Sequence, residues 1–249
     1  MSDFNRGYAR SVPQTADMSV DAGLRAFMLG VYNKVALGLV LSGVLAFITS
    51  SVVPVRDLLF QVTPDGRLAG YTMLGWIVAF APLAVLLFGG FTRRAPNPRT
   101  AGATYWLIVS LIGASLGTIF LRYTNESIAS TFFVTAAAFG ALSLFGYTTK
   151  KDLTGMGSFL IMGVVGLILA SIVNIFLGSG LLGFMISGLG VLIFAGLIAY
   201  DTQRLKMTYY ELGGNEAALS VATSYGALSL YLDFINLFQF LLSFLGNRE

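Results

Sequence analysis

The chain has 249 residues, of which 56% are hydrophobic and 11% charged, and it carries a formal net charge of +3 with neither histidine nor cysteine. A soluble domain holds about 25% charged residues, so a water-soluble globule is excluded and a bilayer is the expected solvent. The missing cysteines and histidines remove disulfides, thiolate chemistry, Cys/His zinc sites and every histidine-based triad.

Residues 1–25 are mixed polar and charged, with no apolar h-region ahead of a small-residue cleavage site, so they predict a cytoplasmic tail and no signal peptide. Apolar segments then recur at Phe27–Val52, Tyr71–Phe91, Ala101–Leu121, Ile128–Phe145, Gly157–Leu177, Leu181–Ala199 and Gly226–Leu245. Each has about the 20 residues that a helix needs to cross a hydrocarbon core roughly 30 Å thick. Their apolar character is continuous, whereas barrel strands alternate with a period of two. The expected fold is all-α, a polytopic bundle of seven transmembrane helices filling residues 26–249.

Lysine and arginine placement orients the bundle. One side collects Arg6, Arg10, Arg25, Lys34, Arg93, Arg94, Arg99, Lys150, Lys151, Arg204 and Lys206, whereas Arg56, Arg67, Arg122 and Arg248 flank the other. The richer side is expected to be cytoplasmic, which puts the N-terminus inside and the C-terminus outside. Topology accounts for the isoelectric point near 9.2, so nucleic acid is not an expected partner.

The 29 glycines suit helix packing in lipid, where small residues let backbones approach. Gly113 and Gly117 form a GxxxG pair, and Ala136 to Ala138 with Gly140 give the fourth span a small-residue surface. Pro82 predicts a kink in the second span. The polar stretch from Lys206 to about Tyr225, with Gly213-Gly214-Asn215, predicts a turn followed by a surface helix.

One residue stands out in the last span. Asp233 lies among Leu232, Phe234 and Ile235, where a carboxylate costs roughly 2.5–3.5 kcal/mol at mid-membrane and so marks a functional site. A second carboxylate, Asp201, closes the sixth span, and the two spans are consecutive and antiparallel. If the last span enters at Gly226, Asp233 sits about 10 Å below the cytoplasmic edge, within reach of Asp201 if the sixth span runs deeper than Ala199. Ser229, Asp233 and Asn236 fall at i, i+4 and i+7, a polar stripe on a Leu- and Phe-rich helix. Two carboxylates held close in a low dielectric cannot both ionise readily, so the pair is expected to share a proton and act as a pH-responsive latch. The plainer alternative makes Asp201 a solvated helix end beside Arg204 and Asp233 a buried hydrogen-bonding group. Asn174 in the fifth span is read as a helix-stitching amide with a supporting role. Arg93 and Arg94 end the second span as positive-inside anchors or as a counter-charge for the acidic pair.

Three segments together resemble the Bax inhibitor-1 family, also called the transmembrane Bax inhibitor motif family, and in particular its bacterial members. They are Phe139–Leu153, Ala199–Arg204 and Leu230–Phe238. The resemblance implies a seven-helix bundle with the last span central and a pH-sensitive calcium leak controlled by an aspartate pair. By motif that pair is Asp201 and Asp233, and Arg94 or Arg93 is the nearest match to an arginine that engages the sixth-span aspartate. Some relatives carry an acid in the second span, and this chain has none between Tyr71 and Phe91.

Three functions compete. The first is a passive cation pathway in the bacterial inner membrane, with calcium as permeant ion held only transiently by Asp201 and Asp233, no cofactor and no catalysis. Calcium prefers about six to eight oxygen ligands, so so small a donor set binds weakly, and weak binding suits conduction. The second is an interaction protein, since relatives are linked to stress survival and some modulate a membrane protease. The third is an intramembrane aspartyl protease, suggested by Tyr200-Asp201 but opposed by Leu230-Tyr231-Leu232 standing where those enzymes carry Gly-x-Gly.

Overall fold

The computed structural model describes residues 22–89 and 97–247, and the elements run in the order α1 (Ala22–Ser51), α2 (Val53–Leu59), β1 (Phe60–Val62), β2 (Leu68–Tyr71), α3 (Met73–Gly89), α4 (Pro98–Ser115), α5 (Gly117–Phe120), α6 (Asn125–Thr148), α7 (Thr154–Leu177), α8 (Gly180–Glu211) and α9 (Glu216–Leu245). Among the described residues six helical stretches are long and apolar enough to cross a membrane: α1, α4 with α5, α6, α7, α8 and α9. The stretch expected as the second span is the shorter helix α3, which holds Pro82 in its interior.

Local chemistry sets the helix starts. Asn97 accepts from the Thr100 amide at 2.8 Å while the Thr100 hydroxyl accepts from the Asn97 amide at 3.2 Å, a reciprocal box that opens α4. Single side-chain caps do the same for α6 through Thr124, α8 through Ser179 and α9 through Asn215. Among the described residues the one pair of strands is the antiparallel hairpin of β1 and β2. It turns at Pro64-Asp65-Gly66, where Gly66 takes φ +83°, a left-handed value that only glycine adopts without penalty.

The two ends that face each other across the last connection differ from the sequence expectation. α8 continues past Ala199 to Glu211, because Asp201, Thr202, Gln203, Leu205 and Lys206 are buried there and give the extra turns something to pack against. The turn is confined to Leu212–Asn215, with Gly213 at φ +56° and Gly214 at φ +83°. What was expected as a separate surface helix is the first part of α9, continuous with the rest of that helix.

α9 is the axis of the bundle and packs against α8, α1, α4 and α6. Leu230, Tyr231 and Phe234 are sealed in the core with Val31, Tyr105 and Ile108, and Leu237 in a second cluster with Leu197 and Ile198 of α8. α7 lies at the edge and packs chiefly on α8. The Gly113/Gly117 pair faces α1, and a Cβ on Gly113 would lie 2.6 Å from the Ser42 Cα, so glycine there permits backbone contact. Gly140 of α6 has open space around it and makes no such contact.

Candidate functional site

The long seam between α8 and α9 brings Asp201 and Asp233 together. Each is buried, with 7% and 6% of its surface exposed, and the two carboxyl groups lie close enough to act on each other. Ser229, one turn before Asp233, donates its hydroxyl to Oδ2 of Asp201. Arg204, exposed one turn beyond Asp201, contributes an attractive charge. Oδ2 of Asp233 is buried with no hydrogen-bond partner. An unpartnered buried acceptor of this kind costs about 1–3 kcal/mol, and more if it is charged.

The other residues singled out from sequence fall elsewhere. Asn236 turns back on its own helix, donating to the Leu232 carbonyl at 2.8 Å, so the polar stripe of α9 reaches the pair through Ser229 alone. Asn174 accepts from the Ser179 amide at 3.1 Å and braces the turn from α7 to α8. Arg93 and Arg94 lie outside the described residues. Among the described residues no three of His, Cys, Asp and Glu cluster as a metal site. Asp201, Asp233 and Ser229 offer too few oxygens for the six to eight, roughly, that calcium prefers.

A second polar layer, not expected from the sequence, lies next to the pair along α8. Gln203 donates to the Lys151 carbonyl at 2.7 Å and accepts from the Leu153 amide at 2.8 Å, so one amide group ties the α6–α7 loop to α8. Lys206, with only 3% of its surface exposed, donates to the Tyr147 carbonyl at 2.7 Å and so caps the C-terminal end of α6. A cation suits that position, because the last carbonyls of a helix carry partial negative charge. Tyr32 of α1 interacts with Thr202 and Ser143, although neither of those two hydroxyls completes a hydrogen bond of normal geometry. The signal was present: Asp201, Thr202, Gln203 and Lys206 are polar residues continuing the sixth span without a helix breaker. In the loop itself, exposed Asp152 receives hydrogen bonds from the Thr154 hydroxyl and amide, which hold its carboxyl below the usual aspartate value.

Residues 24–249 match the family described as inhibitor of apoptosis-promoting Bax1. The chain belongs to the Bax inhibitor-1 family. It is 41% identical to the inner membrane protein YbhL of Escherichia coli strain K12, over 92% of this chain and 94% of that protein. An uncharacterized protein of Caulobacter vibrioides is 74% identical over the full length of both chains. An uncharacterized membrane protein of Streptococcus pyogenes serotype M1 is 33% identical over 92% of this chain and 96% of its own. Within this Bax inhibitor-1 chain, the carboxylate pair sits on the seam of the long helices α8 and α9, along stretches of both that are buried, and the loop from α6 is fastened to α8 within two to five residues of Asp201.

Proposed function

We propose that the protein is a multi-pass protein of the bacterial inner membrane that lets cations, calcium among them, leak passively along the α8–α9 seam under control of the Asp201/Asp233 pair. The observation that carries this reading is the close approach of two buried carboxyl groups, one of them with a buried oxygen that has no partner. With one proton between them the carboxyls attract and hold α8 against α9. With none, two like charges a few ångströms apart repel in a poorly screened site, and the helices have reason to separate. The pair is thus a switch between two packings, and an ion that meets only two carboxylates and a hydroxyl is held briefly and released.

The reading takes α3 as the remaining crossing, which makes seven and leaves the N-terminus cytoplasmic and the C-terminus outside. It assigns the aspartates no catalytic role, since Leu230, Tyr231 and Leu232 leave no glycine-lined approach for a substrate backbone beside Asp233. The place of YbhL in an inner membrane supports the location.

The test is calcium flux into liposomes holding the purified chain, measured from about pH 5 to pH 8, since two coupled carboxyls titrate as one unit. The native protein gives a pH-dependent flux, and Asp201→Asn and Asp233→Asn each give a flat profile, because an amide keeps the bridge without a proton to lose. An unchanged profile in both variants sinks the latch.

A further inference from the structure

α1 and α6 meet near the cytoplasmic side, where Tyr32 lies edge-on to Phe139 with ring centroids 6.4 Å apart and interacts with Ser143. Toward the other side they separate, and between them opens a cleft of about 360 Å³. One wall is Leu39, Gly43 and Ala46 of α1, and the other is Ile128, Ala129 and Phe132 of α6. The floor is α9, through Phe234, Ile235 and Phe238, and α5 closes the end with Ile119 and Phe120. The lips are Val40 and Val44 on α1 and Phe133 on α6, apolar residues between 51% and 71% exposed. The cleft therefore opens sideways, toward what surrounds the helices, and at this depth the surroundings are hydrocarbon.

Its chemistry selects the occupant. The lining is apolar apart from Ser42 and Asn125. Ser42 is already engaged, pairing with the Tyr231 hydroxyl at 2.6 Å and donating to the Val109 carbonyl at 3.2 Å, so it offers little to water. An apolar cavity of this kind stays dry, and if left empty its walls forfeit dispersion contacts. A methylene chain from the bilayer fills it at no cost in hydrogen bonds. Just beyond α5, at the outer end of the cleft, stand exposed Arg122, Asn125 and Glu126. An arginine and an amide there match a phosphodiester, and Glu126 beside them disfavours a lipid with further negative charge.

We propose that this cleft is a phospholipid site, in which one acyl chain of the leaflet around the α5–α6 connection lies against Phe234, Ile235 and Phe238. The chain would then form part of the wall behind Asp233. Phe234 follows that residue directly and stacks edge-on with Phe132 and Phe139 at centroid distances of 5.6 and 5.5 Å. The assignment stands on the cleft itself and does not depend on the leak reading.

The experiment places the full chain in phosphatidylcholine vesicles doped with a phosphatidylcholine that carries a photoactivatable diazirine within one acyl chain, and maps the adducts by peptide mass spectrometry. Labelling is expected to concentrate severalfold on Ile128, Phe132, Ile235 and Phe238 relative to Phe159, Ile168 and Phe176, which α7 simply exposes to lipid. Gly43→Leu places a side chain into space where a Cβ would meet no atom within 4 Å, and Ala129→Leu fills the opposite wall. In whichever of the two elutes as the native protein does, labelling in the cleft falls severalfold while labelling of α7 is unchanged. Equal labelling of cleft and α7, which is annular lipid only, overturns the proposal. Cleft labelling that survives both fillings overturns it too, and so does its absence because a second copy's helix covers the opening.

Discussion

Helices α7 and α9 look alike in the sequence, two long apolar runs near the end of the chain, yet they hold opposite places in the fold. In its most apolar 18-residue window α7 is 11% buried, whereas the corresponding window of α9 is 50% buried. α7 is also the more apolar of the two, and its Ile175 and Phe176 are 77% and 85% exposed. In water that order would be reversed. In a bilayer the outside is as apolar as leucine, so hydrophobicity gives a helix no reason to be central. What draws α9 inward is its polar content: Ser224, Tyr231 and Ser229 each reach a partner on a neighbouring helix, with Lys34 donating to Ser224 at 2.6 Å, Ser42 pairing with the Tyr231 hydroxyl at 2.6 Å and Asp201 accepting from Ser229.

That contrast is best broken by truncation on the two helices. Leu237→Ala on α9, where the side chain is 1% exposed, is expected to cost about 2–5 kcal/mol, the range for a cavity in a packed core. Leu169→Ala on α7, 59% exposed, should stay within about 0.5 kcal/mol. Unfolding by sodium dodecyl sulfate in mixed micelles measures both, and equal losses would mean that α7 is covered by something other than lipid.

A smaller effect sharpens the role of the layer next to the carboxylates. Lys206→Met keeps the length of the buried side chain but removes the hydrogen bond that Lys206 donates to the Tyr147 carbonyl, which should cost about 1–3 kcal/mol. Lys150→Met, in the exposed part of the same loop region, is the control and should leave the thermal midpoint where it was. If the two substitutions match, the α6 cap contributes nothing to the centre of the bundle.

The mildest change is at the site itself. Ser229→Ala removes the hydroxyl donated to Asp201 and is expected to cost on the order of 1 kcal/mol in stability. Its loss should move the midpoint of the flux profile without flattening it. A flat profile would make Ser229 part of the switch, and an unmoved one would remove it from the site.

Much of this was legible along the chain. The composition named the solvent, the apolar runs located the helices, and Asp233 announced itself because a carboxylate in hydrocarbon is too costly to be incidental. That Asp201 could reach it was expected from two consecutive antiparallel helices, on the condition that the sixth span runs deeper than Ala199. The ends of those helices were not legible, since polarity after Ala199 reads as exit from the membrane, whereas in the fold Gln203 and Lys206 are buried against backbone of the α6–α7 loop. Asn236 misled for a related reason: a polar stripe says which face is polar, and the amide satisfied itself one turn back along its own helix.

The sequence by itself determined that the chain is helical, embedded in lipid and built around a costly carboxylate, because those properties depend on residue type and local spacing. Only the tertiary structure decided which helix is the axis, that Asp201 lies inside a longer α8, and that α1 and α6 part to leave a cleft over α9. Those outcomes depend on which polar groups find partners across helices, and lipid supplies no hydrophobic gradient from which that pairing could be read in advance.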